Sequence, residues 1–308
     1  KLGYAKISAE SASENWKKVL NLLEQTLRQT LLFGFTASEL DRVKKEFLAD
    51  LDEAVLKKDT RDSEHLSTLI IDNINDDKVF QSPEQEKELY ASFVESLTLK
   101  QVHDVFAAVW NRNHRLVMVT GNAKIAEKDK TPQAAIREVF DASAKVKLQK
   151  PAEKETVQFP YLPEPEKPGK IREHKTLDDL GIEQIDFENG ARLNLKQTDF
   201  KKNEVMAVIS FGWGKKTGPV PGLAMLAESV LGKSGLGHLT ENELDRALAG
   251  KNTHVGFRIK ENRFSLEGRT VSQEVPLLFQ LLYAHLKDPG YRKEAYLLSM
   301  RQFEQMYK

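Results

Sequence analysis

Residues 187–193 read Phe-Glu-Asn-Gly-Ala-Arg-Leu, and this stretch decides the fold of the second half of the chain. Asparagine followed by glycine is the strongest short signal for a two-residue hairpin turn, because both residues accept the positive φ angles that the turn requires. The flanking segments 182–188 and 191–196 are therefore predicted to form two antiparallel strands. The second half of the chain thus begins with a β-hairpin.

Beyond this hairpin the sequence alternates further strands with helices. The predicted strands cover residues 205–211, 253–259 and 263–271, and helices are predicted over residues 221–231 and 241–248 and, as two more, at the end of the chain. Antiparallel strands with helices packed on one face are typical of an α+β fold rather than of a doubly wound parallel sheet. We therefore predict an α+β fold with antiparallel sheets.

The first part of the chain is predicted to be mostly helical, with a strand at each end. Five helix starts in the whole chain show a hydroxyl residue followed three positions later by Glu or Gln, the pattern of a capping box: Ser11, Thr36, Ser82, Thr98 and Thr240. A further helix is predicted over residues 132–142. Residues 3–10 and 115–120 are predicted to be the two flanking strands.

A proline-rich segment separates the two parts. Residues 146–181 contain five of the eleven prolines of the chain, mixed with lysine and glutamate. Proline fixes φ and removes a backbone donor, so this composition disfavours both a central strand and a long helix. We predict an extended linker between the two parts.

The composition excludes several classes of function. Lysine plus arginine and aspartate plus glutamate both number 46, so the charge balance gives no reason to propose nucleic acid as a partner. The chain has no cysteine, which excludes disulfides, thiolate metal sites and cysteine nucleophiles. No stretch approaches the roughly 18 consecutive apolar residues that a membrane span needs. No two of the seven histidines lie within five residues of each other, so none has helical metal-ligand spacing.

Two stretches resemble the insulinase/pitrilysin family of zinc metallopeptidases. Residues 32–44, LFGFTASELDRVK, are similar to a helix junction near the end of that family's even-numbered domains, and residues 187–193 resemble the hairpin that opens its odd-numbered domains. About thirty residues later the chain reads Pro-Gly-Leu-Ala-Met-Leu-Ala-Glu-Ser over residues 221–229. In the active domain of the family, this place carries the inverted zinc motif H-x-x-E-H.

The resemblance implies that the zinc motif is degenerate in this chain. Met225 stands in place of the first histidine, Glu228 matches the general base, and Ser229 replaces the second histidine. Neither a thioether nor a neutral hydroxyl belongs to the usual zinc ligands. Glu304 lies in a plausible region for the glutamate that is the family's third ligand. Zinc is thus implied for the parent family, whereas this chain is predicted to hold no metal, no cofactor and no catalytic residue.

The resemblance also implies a domain plan. Family members carry four similar domains in two halves joined by a linker, and only the first domain keeps the zinc site. Residues 1–145 would then be the C-terminal part of a non-catalytic domain, 146–181 the linker, and 182–308 the N-terminal part of the next domain. The implied partners are a peptide or unfolded polypeptide, as substrate of the parent enzyme, and the remaining domains of the same chain. The resemblance slightly favours the bacterial periplasm.

Three hypotheses of function remain open at this point. The first is a non-catalytic segment of a zinc-dependent metalloendopeptidase that forms part of a substrate-enclosing chamber. The second is part of a wholly inactive homologue that acts as a structural or partner subunit. The third is a general α+β scaffold with a coincidental match. An H-x-x-E-H motif upstream in the parent protein would separate the first two hypotheses, and the linker favours the first.

One further motif has two interpretations. Gly212-Trp213-Gly214, followed by two lysines, fits neither of the glycine-rich phosphate-binding patterns. We predict that it forms a turn at the end of a strand. A place for Trp213 in the lining of a peptide groove is the alternative.

Overall fold

The computed structural model describes residues 4–110, 115–125, 131–153, 157–217 and 220–307. The α-helices within these residues are α1 (Trp16–Phe33), α2 (Ala37–Leu56), α3 (Ser63–Asn75), α4 (Pro83–Ser96), α5 (Leu99–Trp110), α6 (Pro132–Ser143), α7 (Leu223–Ser234), α8 (Glu241–Ala247), α9 (Val275–Lys287) and α10 (Lys293–Met306). The strands are β1 (Ile171–Leu177), β2 (Ile182–Phe187), β3 (Arg192–Leu195), β4 (Glu204–Phe211), β5 (His254–Ile259) and β6 (Phe264–Val271). Helices combined with antiparallel sheets confirm the predicted α+β class.

The described strands form two three-stranded antiparallel sheets, in the orders β1-β2-β3 and β4-β6-β5. The pairing of the two strands around Asn189-Gly190 is confirmed, with Asp186 opposite Arg192. The turn is longer than the predicted two residues: the N–H of Phe187 donates to the carbonyl oxygen of Ala191 at 2.9 Å, and Asn189 does not have a positive φ. Gly190 has a φ of 85°, and the Asn189 side-chain oxygen accepts a hydrogen bond from the backbone N–H of Ala191 at 3.0 Å. The second predicted hairpin is also confirmed, as β5 and β6.

The core of the second sheet lies between its inner face and α9. Leu278 and Leu282 on α9 are almost completely buried, and they form one cluster with Leu266 on β6. Phe257 on β5 packs against the same cluster, as its alternating pattern of exposure requires. We refer to β4–β6 with α7–α10 as the C-terminal unit, and to α1–α6 as the helical unit.

The helical unit is built from pairs of packed helices. Helix α2 packs against α4, and α1 packs against α5 and α6. The capping boxes that begin at Thr36, Ser82 and Thr98 are confirmed, as is the box at Thr240 in the C-terminal unit. The box predicted at Ser11 is wrong. A 3-10 turn over Ser13–Asn15 precedes α1, and Ala12 is the residue at the N-cap of that turn. The Ser11 hydroxyl instead donates a hydrogen bond to the carbonyl oxygen of Ala12 at 3.1 Å.

The two strands predicted at the ends of the first part are also wrong. Residues 4–10 and 115–120 do not pair with any strand of the described chain, and residue 3 lies outside the described residues. Val117 and Val119 pack instead against the buried cluster of Trp16, Leu20 and Ala135. The two valines therefore belong to the apolar core between α1 and α6. A segment that has no hydrogen-bonded neighbouring strand does not count as a β-strand.

The segment predicted as an extended linker is more ordered than its composition suggested. Its last part forms β1, which is the edge strand of the first sheet. The physical reason is that the last proline of the segment is Pro168, so every residue of β1 keeps its backbone donor. The domain boundaries at residues 145 and 181 stay a prediction.

Residues 163–170 are exposed and lie outside helices and strands, whereas the exposed residues that follow them belong to β1. We expect a glutamate-specific protease to cut the folded chain first after Glu166, because exposed backbone outside regular structure opens most readily. Brief digestion followed by mass spectrometry of the fragments would measure this. First cuts inside α2, after Glu39 or Glu46, would contradict the placement of the exposed segment.

Candidate functional site

Helix α7 carries the three positions that resemble the degenerate zinc motif. Gly222 precedes the helix with a φ of 82°, and α7 packs against α10 on one side and against β5 on another. The helix predicted over residues 221–231 is thus present, although it begins two residues later and extends to Ser234. The side chains of Met225, Glu228 and Ser229 have different neighbours: an apolar hollow, the end of β5, and α10.

Glu228 makes a structural contact with the second sheet. Its Oε1 accepts a hydrogen bond from the backbone N–H of Ile259 at 2.7 Å. Ile259 is the last residue of β5, which lies at an edge of the sheet, where backbone donors lack a partner strand. The carboxylate that would match a general base therefore holds α7 against a sheet edge.

Ser229 lies between α7 and α10. Its Oγ is 2.8 Å from the Oγ of Ser299, which is completely buried on α10. The Nζ of Lys233, one turn further along α7, donates a hydrogen bond to the same Oγ at 2.8 Å. Ser229 thus joins two helices beside an ammonium group.

Met225 faces an open apolar hollow between α7 and α10. Its side chain is 45% exposed, and the hollow has a volume of about 170 Å³. The other residues that line the hollow are Gly222, Leu226, Met300, Phe303 and Tyr307. Thioether and aromatic groups make this an adaptable apolar surface.

These residues do not fit a zinc ion. A thioether and a hydroxyl are poor zinc ligands, and the ammonium of Lys233 within hydrogen-bond distance of Ser229 would repel a dication. Lys215 adds positive charge nearby. Its hydrogen bond to Glu261 at 2.6 Å raises its pKa above the ordinary lysine value, with a smaller contribution from Glu228.

Glu304, the candidate third ligand, is exposed on α10. Within the part of the chain that the structure describes, no three histidine, aspartate or glutamate side chains lie close enough together to share a metal ion. The absence of a bound metal stays a prediction for experiment.

Ser229 and Lys233 resemble a serine nucleophile with a lysine base, but their surroundings do not support acyl transfer. Both residues lie within α7, where the backbone N–H groups are engaged in the hydrogen bonds of the helix. Acyl transfer needs free donors that point at the developing oxyanion. We therefore interpret this pair as a structural contact, in which the ammonium of Lys233 donates a hydrogen bond to the partly buried hydroxyl of Ser229.

Sequence reasoning missed the groups that satisfy the motif side chains. Lys233 could have been found, since it lies four residues after Ser229 and so on the same helical face. Ile259 and Ser299 could not, because they are 31 and 70 residues away from their partners in the sequence.

The turn predicted around Trp213 is confirmed. Gly212 and Gly214 have φ angles of 63° and 60°, and Trp213 between them is 71% exposed. A side chain at Gly214 would lie 2.1 Å from the carbonyl oxygen of Lys260, so this position needs glycine. A peptide groove lined by Trp213 stays a hypothesis.

A Glu228→Ala variant is expected to lose about 1.5–3 kcal/mol of unfolding free energy, the usual value of a hydrogen bond to a charged group. The loss follows because the backbone N–H of Ile259 is left without its acceptor. Glu228→Gln keeps an acceptor oxygen and should lose less. Urea denaturation would measure both variants, with Glu304→Ala as the control for removing an exposed charge. An equal effect of the Glu228→Ala and Glu304→Ala substitutions would contradict the structural role of Glu228.

No helix within the described ranges combines the length and apolar character that crossing a bilayer requires.

Comparison with known proteins gives matches of structure alone. No protein-family model and no curated protein matches the sequence. The chain is similar to the periplasmic protease PqqL from Escherichia coli, with a TM-score of 0.43 and 21% identity, over 92% of this chain and 32% of PqqL. It is also similar to the ferredoxin protease FusC, solved as a mutant with Arabidopsis ferredoxin, with a TM-score of 0.46 and 14% identity, over 94% of this chain and 33% of FusC. The chain therefore spans about a third of the length of each of these two proteases.

Proposed function

We propose that this chain is a non-catalytic segment of a zinc-dependent metalloendopeptidase and forms part of the wall of a chamber that encloses polypeptide substrates. One observation carries the proposal. At the three positions on α7 where the family presents its zinc motif, this chain uses the side chain for packing or hydrogen bonding. Met225 lines an apolar hollow, Glu228 holds the end of β5, and Ser229 joins α7 to α10.

The exposed surface of α7 supports a role in contacting polypeptide. The hollow beside Met225 is open to solvent and lined by apolar groups, so it offers a surface to apolar side chains of an extended chain. Its thioethers can adjust to side chains of different shape, which suits a wall that meets many sequences. The substrate class that we propose is therefore unfolded polypeptide rather than a single folded partner.

Zinc binding gives a direct test of the non-catalytic role. We expect the chain to bind no stoichiometric zinc at micromolar concentration, because Met225 and Ser229 are poor ligands and Lys233 adds a positive charge. Dialysis against zinc followed by elemental analysis would measure this. Lys233→Met removes the charge and serves as the control for its contribution. A chelator-sensitive ion held at 1:1 stoichiometry and lost on Glu228→Ala substitution would contradict the proposal.

A further inference from the structure

A histidine and an aspartate meet on the surface of the C-terminal unit, outside the degenerate motif. His238 lies in the loop between α7 and α8, and Asp288 directly follows α9. The Nδ1 of His238 lies 2.7 Å from Oδ2 of Asp288, and the same oxygen accepts a hydrogen bond from the backbone N–H of His238 at 3.1 Å. The hydroxyl of Tyr161 donates a further hydrogen bond to that oxygen at 2.7 Å. We call these three residues the histidine cluster.

The loop that carries His238 is held firmly by its own backbone. Leu236 is completely buried, and the N–H of Gly237 donates to the backbone carbonyl oxygen of Asp288 at 2.7 Å. A side chain at Gly237 would lie 2.0 Å from Oδ1 of Asp288, so this approach needs glycine. The guanidinium of Arg292 donates to the carbonyl oxygens of Leu236 and Gly237 at 2.7 and 3.0 Å. The fold therefore fixes the imidazole beside the carboxylate.

The ionisation of Asp288 decides which ring nitrogen of His238 carries the proton. The hydrogen bond from His238, followed by that from Tyr161, holds the pKa of Asp288 below the ordinary carboxyl value. A charged carboxylate can only accept, so the proton of the neutral imidazole lies on Nδ1. Burial, followed by the hydrogen bond to Asp288, raises the pKa of Tyr161, which therefore stays a donor. The lone pair of the imidazole is then on Nε2.

The imidazole of His238 is open to solvent although it is firmly held. Its side chain is 71% exposed, and one contact of the ring is with the ring of Tyr161, whose centroid lies 4.9 Å away. Within the ranges that the structure describes, no hydrogen bond or ion pair engages Nε2. So exposed a ring adds little to the apolar core. Its fixed orientation therefore serves the free nitrogen rather than packing.

An imidazole in this arrangement is a nucleophile. The carboxylate that accepts from Nδ1 holds the tautomer and the orientation of the ring, and it stabilises the positive charge that develops when Nε2 attacks. No array of free N–H groups faces His238 among the described contacts, so the cluster offers little stabilisation to an oxyanion. The suitable substrates are therefore acyl compounds that already carry a good leaving group.

We propose that His238 transfers acyl groups from activated esters to water through Nε2, and that Asp288 positions its ring. In the first step Nε2 forms a bond to the carbonyl carbon, the bond from that carbon to the leaving oxygen breaks, and the alcohol leaves as an aryl oxide with the electron pair. In the second step water attacks the acyl carbon, and the bond to Nε2 breaks and returns its electron pair to the nitrogen. Water supplies the hydroxyl group of the carboxylic acid, and its other proton goes to the aryl oxide through solvent.

This activity is separate from the proposed function as a wall of a peptidase. An amine is a much poorer leaving group than an aryl oxide, so the histidine cluster alone does not cleave peptide bonds. Failure of either proposal therefore leaves the other standing.

The first test measures the reactivity of the ring in the 308-residue chain. Diethyl pyrocarbonate adds an ethoxycarbonyl group to imidazole nitrogen, and mass spectrometry of peptides gives the rate at each histidine. We expect His238 to react about tenfold faster than His65, because a hydrogen bond to a charged group stabilises the developing positive charge. His65 is the matched control, since it is exposed on α3. Asp288→Asn should lower the rate at His238 to that of His65 and leave His65 unchanged.

Ring nitrogen chemical shifts, measured by NMR, separate positioning from a general loss of structure. The parent should show the proton of His238 on Nδ1. An asparagine can donate as well as accept, so in Asp288→Asn the proton should move partly to Nε2. Circular dichroism would check that the variant is folded.

The second test measures turnover of p-nitrophenyl acetate. The variants His238→Gln and His65→Gln have the same lysines, which also react with this ester, so their difference reports the histidines alone. We expect His65→Gln to release nitrophenolate as fast as the parent and His238→Gln to release it more slowly. The comparison does not depend on Asp288→Asn folding, because it changes only exposed rings.

Three results would overturn the proposal. Equal modification rates at His238 and His65 would show that the imidazole is not activated. A rate and a tautomer at His238 that are both unchanged in folded Asp288→Asn would show that the aspartate does not position the ring. Equal release of nitrophenolate by His238→Gln and His65→Gln would show that no acyl group passes through His238.

Discussion

Hydrolysis of an internally quenched peptide by the 308-residue chain is expected to stay at background, with or without added zinc. Peptide hydrolysis of this class needs a metal-activated water, a base beside it and donors for the oxyanion. Enzymes gain about 8–23 kcal/mol of barrier reduction from such groups, and a lone carboxylate supplies little of it. Of the motif positions only Glu228 matches, and its carboxylate is engaged by the backbone N–H of Ile259.

The double variant Met225→His, Ser229→His extends this prediction. It restores the two missing histidines, yet its turnover is also expected at background, because the third ligand and the supporting contacts are still not arranged. Lys233 would remain on the same face of α7 with its positive charge. Zinc-dependent turnover by either form of the chain, abolished by a chelator, would contradict the non-catalytic role.

The features that the sequence predicted well depend on residues close together in the chain. The capping boxes at Thr36 and Thr240 each involve two residues three positions apart, and both form as expected. The hairpin at Asn189-Gly190 likewise depends on its own backbone preferences. The α+β class could be predicted because the sequence shows hairpin signals together with helix starts, rather than the regular alternation of strand and helix that a parallel sheet requires.

The features that the sequence missed depend on partners far away. Residues 115–120 have the composition of a strand, yet they pack on a helical cluster because no neighbouring strand is available in the described chain. Residues 157–162 were interpreted as linker because the segment is rich in proline, although Phe159 and Tyr161 pack against a buried cluster that begins at Leu236, more than 70 residues later. Composition indicates the local preference of a segment. In these two segments, contacts with residues distant in the sequence determined the structure instead.

The candidate site shows the same division. The interpretation of α7 as a degenerate motif came from matching Met225, Glu228 and Ser229 to H-x-x-E-H, which needs only residues close together in the sequence. The contacts that these side chains make depend on β5 and α10, and no local pattern indicates those contacts.

Deleting residues 182–308 from a longer protein that carries an upstream H-x-x-E-H motif should remove most of its activity on unfolded peptides. No zinc ligand is deleted, so the zinc content should be unchanged. Turnover should fall because the wall that includes α7 and its apolar hollow no longer holds the substrate near the metal. Misplacement of substrate by about 1 Å can cost roughly a hundredfold in rate, and we expect a loss of at least that size.

The most direct test of the account compares kcat/KM of the intact and deleted proteins on one quenched unfolded peptide, with zinc content and circular dichroism measured on the same samples. The wall-forming role predicts an active intact protein, and a deleted form that keeps its zinc and its folded signal but loses about a hundredfold in kcat/KM. An inactive intact protein would support instead the wholly inactive homologue. A deleted form that cleaves the peptide as fast as the intact protein would contradict the proposed role of this chain.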